Sequence, residues 1–348
     1  MQKQFGAKIS KKEKDNFKES PQWNGEKFVN SEPTSMAISL RKLPEILYKQ
    51  FFEKKDREPG QFLPIIPFDK KLFEENKDTV SYIWYGHSVV LLRVNAMNIL
   101  IDPMFGSNAA PIAPFPIKRF SEDTLKLIDN LPDIDLILIS HDHYDHLDYD
   151  SIQKLKTKTK QFYVALGVKR HLEKWGINPE RIIEFDWWQN QNFNSMSITF
   201  TPTRHFSGRG LTDRAKSLWG GWVIKTEGAN IWFSGDSGYG PHFAAIGKRL
   251  GPFDFAFMEC GQYNENWSQI HMFPEESVQA AIDARVNNMI PVHWGGFALA
   301  QHSWTDPVIR FVKQAEEKNC SFHLPKLGEI QTIANQNHFH WWEDYSLS

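Results

Sequence analysis

The chain has 348 residues, room for one large domain or two of ordinary size, with 40 Lys plus Arg against 42 Asp plus Glu and a formal net charge of −2. That balance argues against a nucleic-acid-binding surface, which usually carries a basic excess, and a composition of 41% hydrophobic and 24% charged residues excludes global disorder. Only two cysteines occur, Cys260 and Cys320, which excludes a disulfide framework and leaves any metal to His and carboxylates.

From Met1 to about Pro33 the sequence is polar without clear periodicity, and it reads as an arm draped over the body or partly disordered. In RKLPEILYKQFFEKKDREPG, Leu43, Ile46, Leu47, Tyr48 and Phe51 follow helical spacing between basic flanks. Such a helix either lies on an anionic membrane surface or packs its apolar stripe on the core. There is no apolar h-region at the start and no stretch approaching the ~18 apolar residues of a membrane span. A soluble, cytoplasmic protein with room for peripheral membrane contact is therefore expected, although removal of an export or anchor segment would leave the same sequence.

From Thr79 the pattern changes to short β-rich runs: VSYIWYG, SVVLLRV, NILID, LILIS, FYVAL, RIIEF, SITFTP, GWVIKT, NIWFSG and FAFME. Helical patterns fall around 151–155, 168–175, 241–250, 274–285 and 306–318. Strands dominate and helices arrive in the connections, which predicts a layered α/β body of packed sheets with helices outside. The 13 Trp, 26 Phe and 9 Tyr point to a bulky core, an aromatic ligand cleft or a lipid interface. Tyr144, Phe206, Trp219, Trp222, Tyr263, Trp294 and Trp304, near the polar motifs, are the candidates for a cleft.

The chemistry begins at SHDHYDHLD, where the apolar strand 136–139 runs into His141, His143, Asp145 and His146. Three His at these spacings arise by chance on the order of 0.02 times in a chain of this composition. Two His separated by one residue at a strand end can converge on one ion, while Asp145 and His146 turn to a second. Further ligands must come from other strand ends: TPTRHF offers His205, FSGDSGYG offers Asp236, and MIPVHWGG offers His293.

Together with GHSVVLL, LIDPMF, IKRF, SLWGGW, IGKRLGPFD and IPVHWGGFALA, these motifs resemble the metallo-β-lactamase superfamily over about Gly86 to Ala300. Within it they are similar to the branch of N-acyl-phosphatidylethanolamine-hydrolysing phospholipase D and its bacterial relatives. The resemblance implies an α/β four-layer αββα sandwich with a dinuclear site at one edge; the change of pattern at Thr79 divides the chain into an arm with amphipathic helix (1–78), packed on the body or partly disordered and not covered by the resemblance, and a hydrolase domain (79–348). By position, it implies that His141, His143 and His205 bind one ion, Asp145, His146 and His293 the second, and that Asp236 bridges them. Asp102, ending NILID, matches a carboxylate that orients a ligand His. His271 aligns with a histidine facing the site, against a plainer reading as a residue ahead of the helix at Pro274. The candidate catalytic residues are thus Asp102, Asp145, Asp236 and His271.

Imidazole and carboxylate ligands suit two Zn²⁺ best, with Mn²⁺ or Fe²⁺ also compatible. Hydroxide bound to the metals, formed near neutral pH, is expected to attack a phosphodiester of a phospholipid-like substrate. G-x-S-x-G and G-x-x-x-x-G-K are absent, in agreement with a metal-dependent hydrolase. The same site could open a lactone or other ester, or bind metal without turnover. A small-molecule or lipid substrate is expected and no nucleic acid; the oligomeric state stays open.

Overall fold

The computed structural model describes residues 3–36, 56–75, 80–110, 116–210, 212–334 and 338–346, with positions 44, 48 and 52. The basic amphipathic segment expected around Leu43–Phe51 lies outside the described residues apart from two of these isolated positions.

Among the described residues, two seven-stranded sheets carry the fold. The first has the order β14 (Ile330–Thr332), β1 (Ser81–Trp84), β2 (Val90–Val94), β3 (Met97–Ile101), β4 (Ile134–Ile139), β5 (Thr159–Ala165), β6 (Ile182–Phe185). The second runs β13 (Ser321–Phe322), β12 (Asn288–Val292), β11 (Phe255–Glu259), β10 (Asn230–Phe233), β9 (Gly221–Lys225), β8 (Met196–Thr201), β7 (Asn190–Phe193). In each, an antiparallel meander passes into a parallel half: β3 to β6 in one, β10 to β13 in the other.

Parallel neighbours need crossovers, and helices supply them. α3 (Thr124–Asn130), α4 (Tyr149–Leu155) and α5 (Lys169–Lys174) serve the first sheet; α6 (His242–Leu250), α7 (Pro274–Asp283) and α8 (Asp306–Glu317) serve the second. Two mixed sheets flanked by helices make the αββα sandwich that the sequence resemblance implies. Strands covered on both faces read as continuous apolar runs, as in β4, where every residue of IDLILI is buried. Parallel alignment brings the carboxyl ends of these strands to one edge, where side chains from separate loops meet.

Among the described residues several elements escaped the sequence reading: β13 and β14, of two and three residues, are too short to show a period, and two others have a further physical reason. The edge strand β7, NQNF, is exposed over its first three residues and so shows no alternation. α3 buries only Thr124 and Ile128 and starts at Asp123 in a left-handed conformation with no side-chain cap.

The N-terminal residues also contain structure without periodicity. α1 (Lys11–Phe17) is capped reciprocally by Ser10 and Glu13, and buries a single residue, Phe17, against Trp23 and Phe28. α2 (Lys70–Glu75) likewise buries one residue, Phe73. The arm is strapped to the body by backbone groups: Trp175 Nε1 donates to Lys3 O at 2.8 Å, Arg209 Nε to Gln4 O at 2.9 Å, and Phe28 N to Ala215 O at 2.9 Å. At Gly6 (φ +68°) the arm presses on His171; a Cβ there would lie 2.0 Å from His171 Nδ1.

His171 is fully buried and its Nδ1 accepts from Ala7 N at 3.0 Å, while Nε2 meets Asp142 Oδ2 at 3.2 Å. Burial pushes its pKa from an ordinary 6.5 down to about 3. The unfolded chain then binds a proton between these values that the folded chain does not. Stability is therefore full above pH 6.5 and falls on acidification, by about 1.4 kcal/mol per pH unit for this residue. Urea unfolding of the metal-free protein at pH 5 and 7.5 tests this: His171→Gln should flatten the acid limb by one proton, and an unchanged limb refutes it.

Candidate metal centre

The buried strand β4 delivers His141 to the shared edge, and Asp102, just past β3, organises the loop that follows. Asp102 Oδ1 accepts from Ser140 N at 2.7 Å, and its Oδ2 takes Ser140 Oγ at 2.5 Å and His146 Nδ1 at 2.8 Å. Asp142 turns away from the other site side chains, accepting from Gly208 N at 2.7 Å and Ser217 Oγ at 2.6 Å. His87, Asp102 and His293 all sit at positive φ, 53°, 41° and 67°, a conformation tolerated where surrounding structure enforces it. Asp236 needs its neighbour Gly235 (φ +67°), because a Cβ there would lie 2.4 Å from Gly220 O.

The predicted ligand residues converge. His141 Nε2 lies 2.9 Å from His143 Nδ1, which lies 3.2 Å from His205 Nε2. A second group gathers His87, Asp145, His146 and His293, and a third joins His141, His146 and Asp236; within each group the donor atoms lie within 4.8 Å of one another. Asp236 stands between them: its Oδ2 is 3.1 Å from His146 Nε2 and 3.8 Å from His205 Nε2, and its Oδ1 is 3.4 Å from His293 Nδ1.

The electrostatics suit a cation. Burial pushes the imidazoles of His141, His205 and His293 well below their ordinary range, so they are neutral, the form that binds metal. Burial opposes ionisation of Asp145 and Asp236, but neighbouring imidazoles, His146 foremost, outweigh it and hold both carboxyls low. His146 is itself raised despite burial by Asp236, Asp145 and Asp102, a concentration of negative charge that a cation would balance. His146 Nε2 and His293 Nε2 are buried ring nitrogens without a hydrogen bond of proper geometry, and nitrogens left so fit ligation of a metal ion.

His271 lines the same pocket as His143, Asp145, Asp236 and His293, a space of about 260 Å³. Its ring stacks on His293 at 5.3 Å and meets His205 edge-on at 4.9 Å. Two residues were missed in the sequence. His87, the second residue of GHS, places Nε2 2.8 Å from Asp145 Oδ2. Glu259, the charged residue closing FAFME, places Oε1 2.5 Å from His271 Nδ1. The signal for each was one polar residue ending an apolar strand or its turn.

Most of the proposed cleft aromatics are packing residues, because the space between the sheets must be filled. Trp222 packs on Phe185 and Phe200, Trp294 on Trp84 and Trp341, and Trp304 on Phe120. Tyr144 bonds to Arg209 O and Tyr263 to Asp306. Phe206 does reach the pocket, and Trp219 lines an adjoining cavity of about 660 Å³ between residues 26–36 and the 205–219 loop. The two spaces share Met36, Phe206 and Ile270 as walls.

His87 and Asp102 act on ligand candidates through hydrogen bonds. His87→Ala and Asp102→Asn are each expected to weaken metal affinity about 10- to 100-fold while the fold survives. Competition against a fluorescent chelator reads this directly; unchanged affinity would reduce either residue to a structural strand-end role.

Residues 97–294 match the family model described as the beta-lactamase superfamily domain. An uncharacterised protein of Mycobacterium tuberculosis is 34% identical across 93% of this chain and 88% of its own length. The N-acyl-phosphatidylethanolamine-hydrolyzing phospholipase D 1 of Caenorhabditis elegans is 32% identical across 71% of this chain and 74% of that protein. Among solved structures, the metallo hydrolase Igni18 of Ignicoccus hospitalis superposes with a TM-score of 0.57 at 20% identity, covering 74% of this chain and 100% of that one. Among the described residues no helix is long and apolar enough to cross a membrane.

Proposed function

The chain belongs to the beta-lactamase superfamily and is a metal-dependent hydrolase, and from that premise we propose that it is a dinuclear phosphodiesterase acting on phospholipid-like substrates of the N-acyl phosphatidylethanolamine type. His141, His143 and His205 would hold one divalent ion, Asp145, His146 and His293 the other, with Asp236 shared between them; Zn²⁺ suits these ligands best, and Mn²⁺ or Fe²⁺ are compatible. Such ions, when bound, neutralise charge on a phosphoryl group and lower the pKa of water.

The chain's own residues supply position and proton control. Asp102 holds His146 through Nδ1 and leaves Nε2 for the centre. His87 holds Asp145 by the oxygen nearest His146. His271, in the pocket wall, stands where an imidazole can protonate a departing alkoxide.

The observation that carries the lipid reading is the larger cavity opening beside the metal pocket through shared walls. At about 660 Å³ it has the size of a site for more than the reacting group. Arg214, its guanidinium 3.9 Å over the Phe206 ring, adds a cation at that junction for an anionic substrate. The relative named as an N-acyl-phosphatidylethanolamine-hydrolysing phospholipase supports the same substrate class.

The test is a screen of metal-loaded protein on bis-p-nitrophenyl phosphate, an N-acyl phosphatidylethanolamine and a lactone panel. Release of phosphatidic acid and N-acylethanolamine from the lipid is expected. Lactone opening with no phosphodiester hydrolysis would replace this reading with that of an ester hydrolase, and metal binding with no turnover of any of them with that of a non-catalytic protein.

A further inference from the structure

Glu259 is the last residue of β11, with 1% of its surface exposed, flanked in the sheet by the strands that lead to Asp236 and His293. A carboxylate in such a place is costly unless its oxygens are hydrogen-bonded. Among the described residues no Lys or Arg pairs with it. Its Oε1 lies 2.5 Å from His271 Nδ1, and its Oε2 accepts from Met272 N at 3.3 Å. Both contacts go to the loop that carries His271, so the carboxylate spends its bonding capacity on that one histidine and its neighbour.

On the other side the His271 ring lies nearly parallel to His293, with 14° between planes, and crosses His205 at 66°. The ring is thus clamped between two ligand candidates and held at Nδ1. The nitrogen opposite Nδ1 is left for the pocket, where His271 has a donor atom within 4.8 Å of those of His205 and Asp236.

We propose that Glu259 is a positioning residue for the leaving-group side of the reaction: by accepting from Nδ1–H it fixes the direction of His271 and supports the ring while Nε2 also carries a proton, and so presents Nε2–H to the substrate oxygen that departs and takes that proton. A histidine held this way has its second nitrogen defined by the partner of the first. The choice of substrate rests on the phosphodiesterase reading above; the coupling between Glu259 and His271 does not.

The experiment is a double-mutant cycle on the metal-loaded enzyme, with the tautomer read by nitrogen NMR of ¹⁵N-histidine-labelled, metal-free protein. Wild-type His271 should show a protonated, hydrogen-bonded Nδ1. Glu259→Gln, whose amide oxygen still accepts from Nδ1–H, should keep that signature and stay within about 10-fold of wild type. Glu259→Ala should lose the signature and slow hydrolysis of a phosphodiester with an alkyl leaving group about 100-fold, sparing bis-p-nitrophenyl phosphate and metal content. Glu259→Ala in a His271→Ala background should cost nothing further. If Glu259→Ala does not fold, Glu259→Leu fills the same volume and carries the cycle.

Multiplicative losses in the double variant, an Nδ1 left unchanged by removing the carboxyl, or equal damage to both substrates would overturn the proposal. If the chain turns over a lactone instead, the cycle runs on that substrate. Loss of phosphodiester activity as the natural reaction and loss of the coupling are then separate results.

Discussion

Asp236→Ala is expected to lower turnover about 1000-fold or more, because on the proposed dinuclear reading several kcal/mol of transition-state charge stabilisation would depend on holding both ions. Asp236 approaches His146, His205 and His293 at once, whereas every other carboxylate of the site serves one side of it. Wild-type protein should carry close to two metal equivalents and the variant one or fewer. Elemental analysis that finds at most one ion in folded, metal-supplemented wild-type protein would sink the dinuclear reading, even if Asp236→Ala were inactive.

His271→Ala should produce the second large effect, and a selective one. A positioned proton donor typically contributes about 10²- to 10⁴-fold, a benefit that scales with how badly the leaving group needs its proton. Phosphodiesters with alkyl leaving groups should therefore lose that factor, while p-nitrophenyl substrates, whose leaving group departs unprotonated, lose little. Metal content should be unchanged, since His271 is bonded to Glu259 and is not among the proposed ligands. Equal losses on both substrates would assign His271 to phosphate positioning; no loss on either would leave it as a residue ahead of α7.

The apolar strands from β1 to β12 and the helices beyond position 150 were legible because their pattern is carried by each segment alone. LILI is buried whatever packs on it, and α8 shows its apolar stripe at helical spacing. The short elements were not, since α1, α2 and α3 bury one or two residues each and β7 is an exposed edge. Their positions follow from caps and neighbours, which periodicity does not record.

The same division runs through the site. Its residue types and their order along the chain, His141-x-His143-x-Asp145-His146, then His205, Asp236 and His293, are properties of sequence, because strand ends place such residues wherever the sheet puts its edge. Which of them face one another was decided only by tertiary structure. Asp236 reaches both groups because β10 sits between β9 and β11, a choice of sheet order that no local pattern encodes. His87 and Glu259 lie 172 positions apart, one in the turn after β1 and the other closing β11; their partners, Asp145 and His271, exist only once distant loops meet at one edge. The arm is the sharpest case: Asn30 bonds to His205 N and O across 175 residues of sequence, so the wall of the cavity beside the metal pocket is made of residues whose own sequence carries no sign of it. Hydrogen bonds from the Asn30 side chain to a distant backbone depend on register and distance, and these are set by the packed whole and not by the composition of either segment.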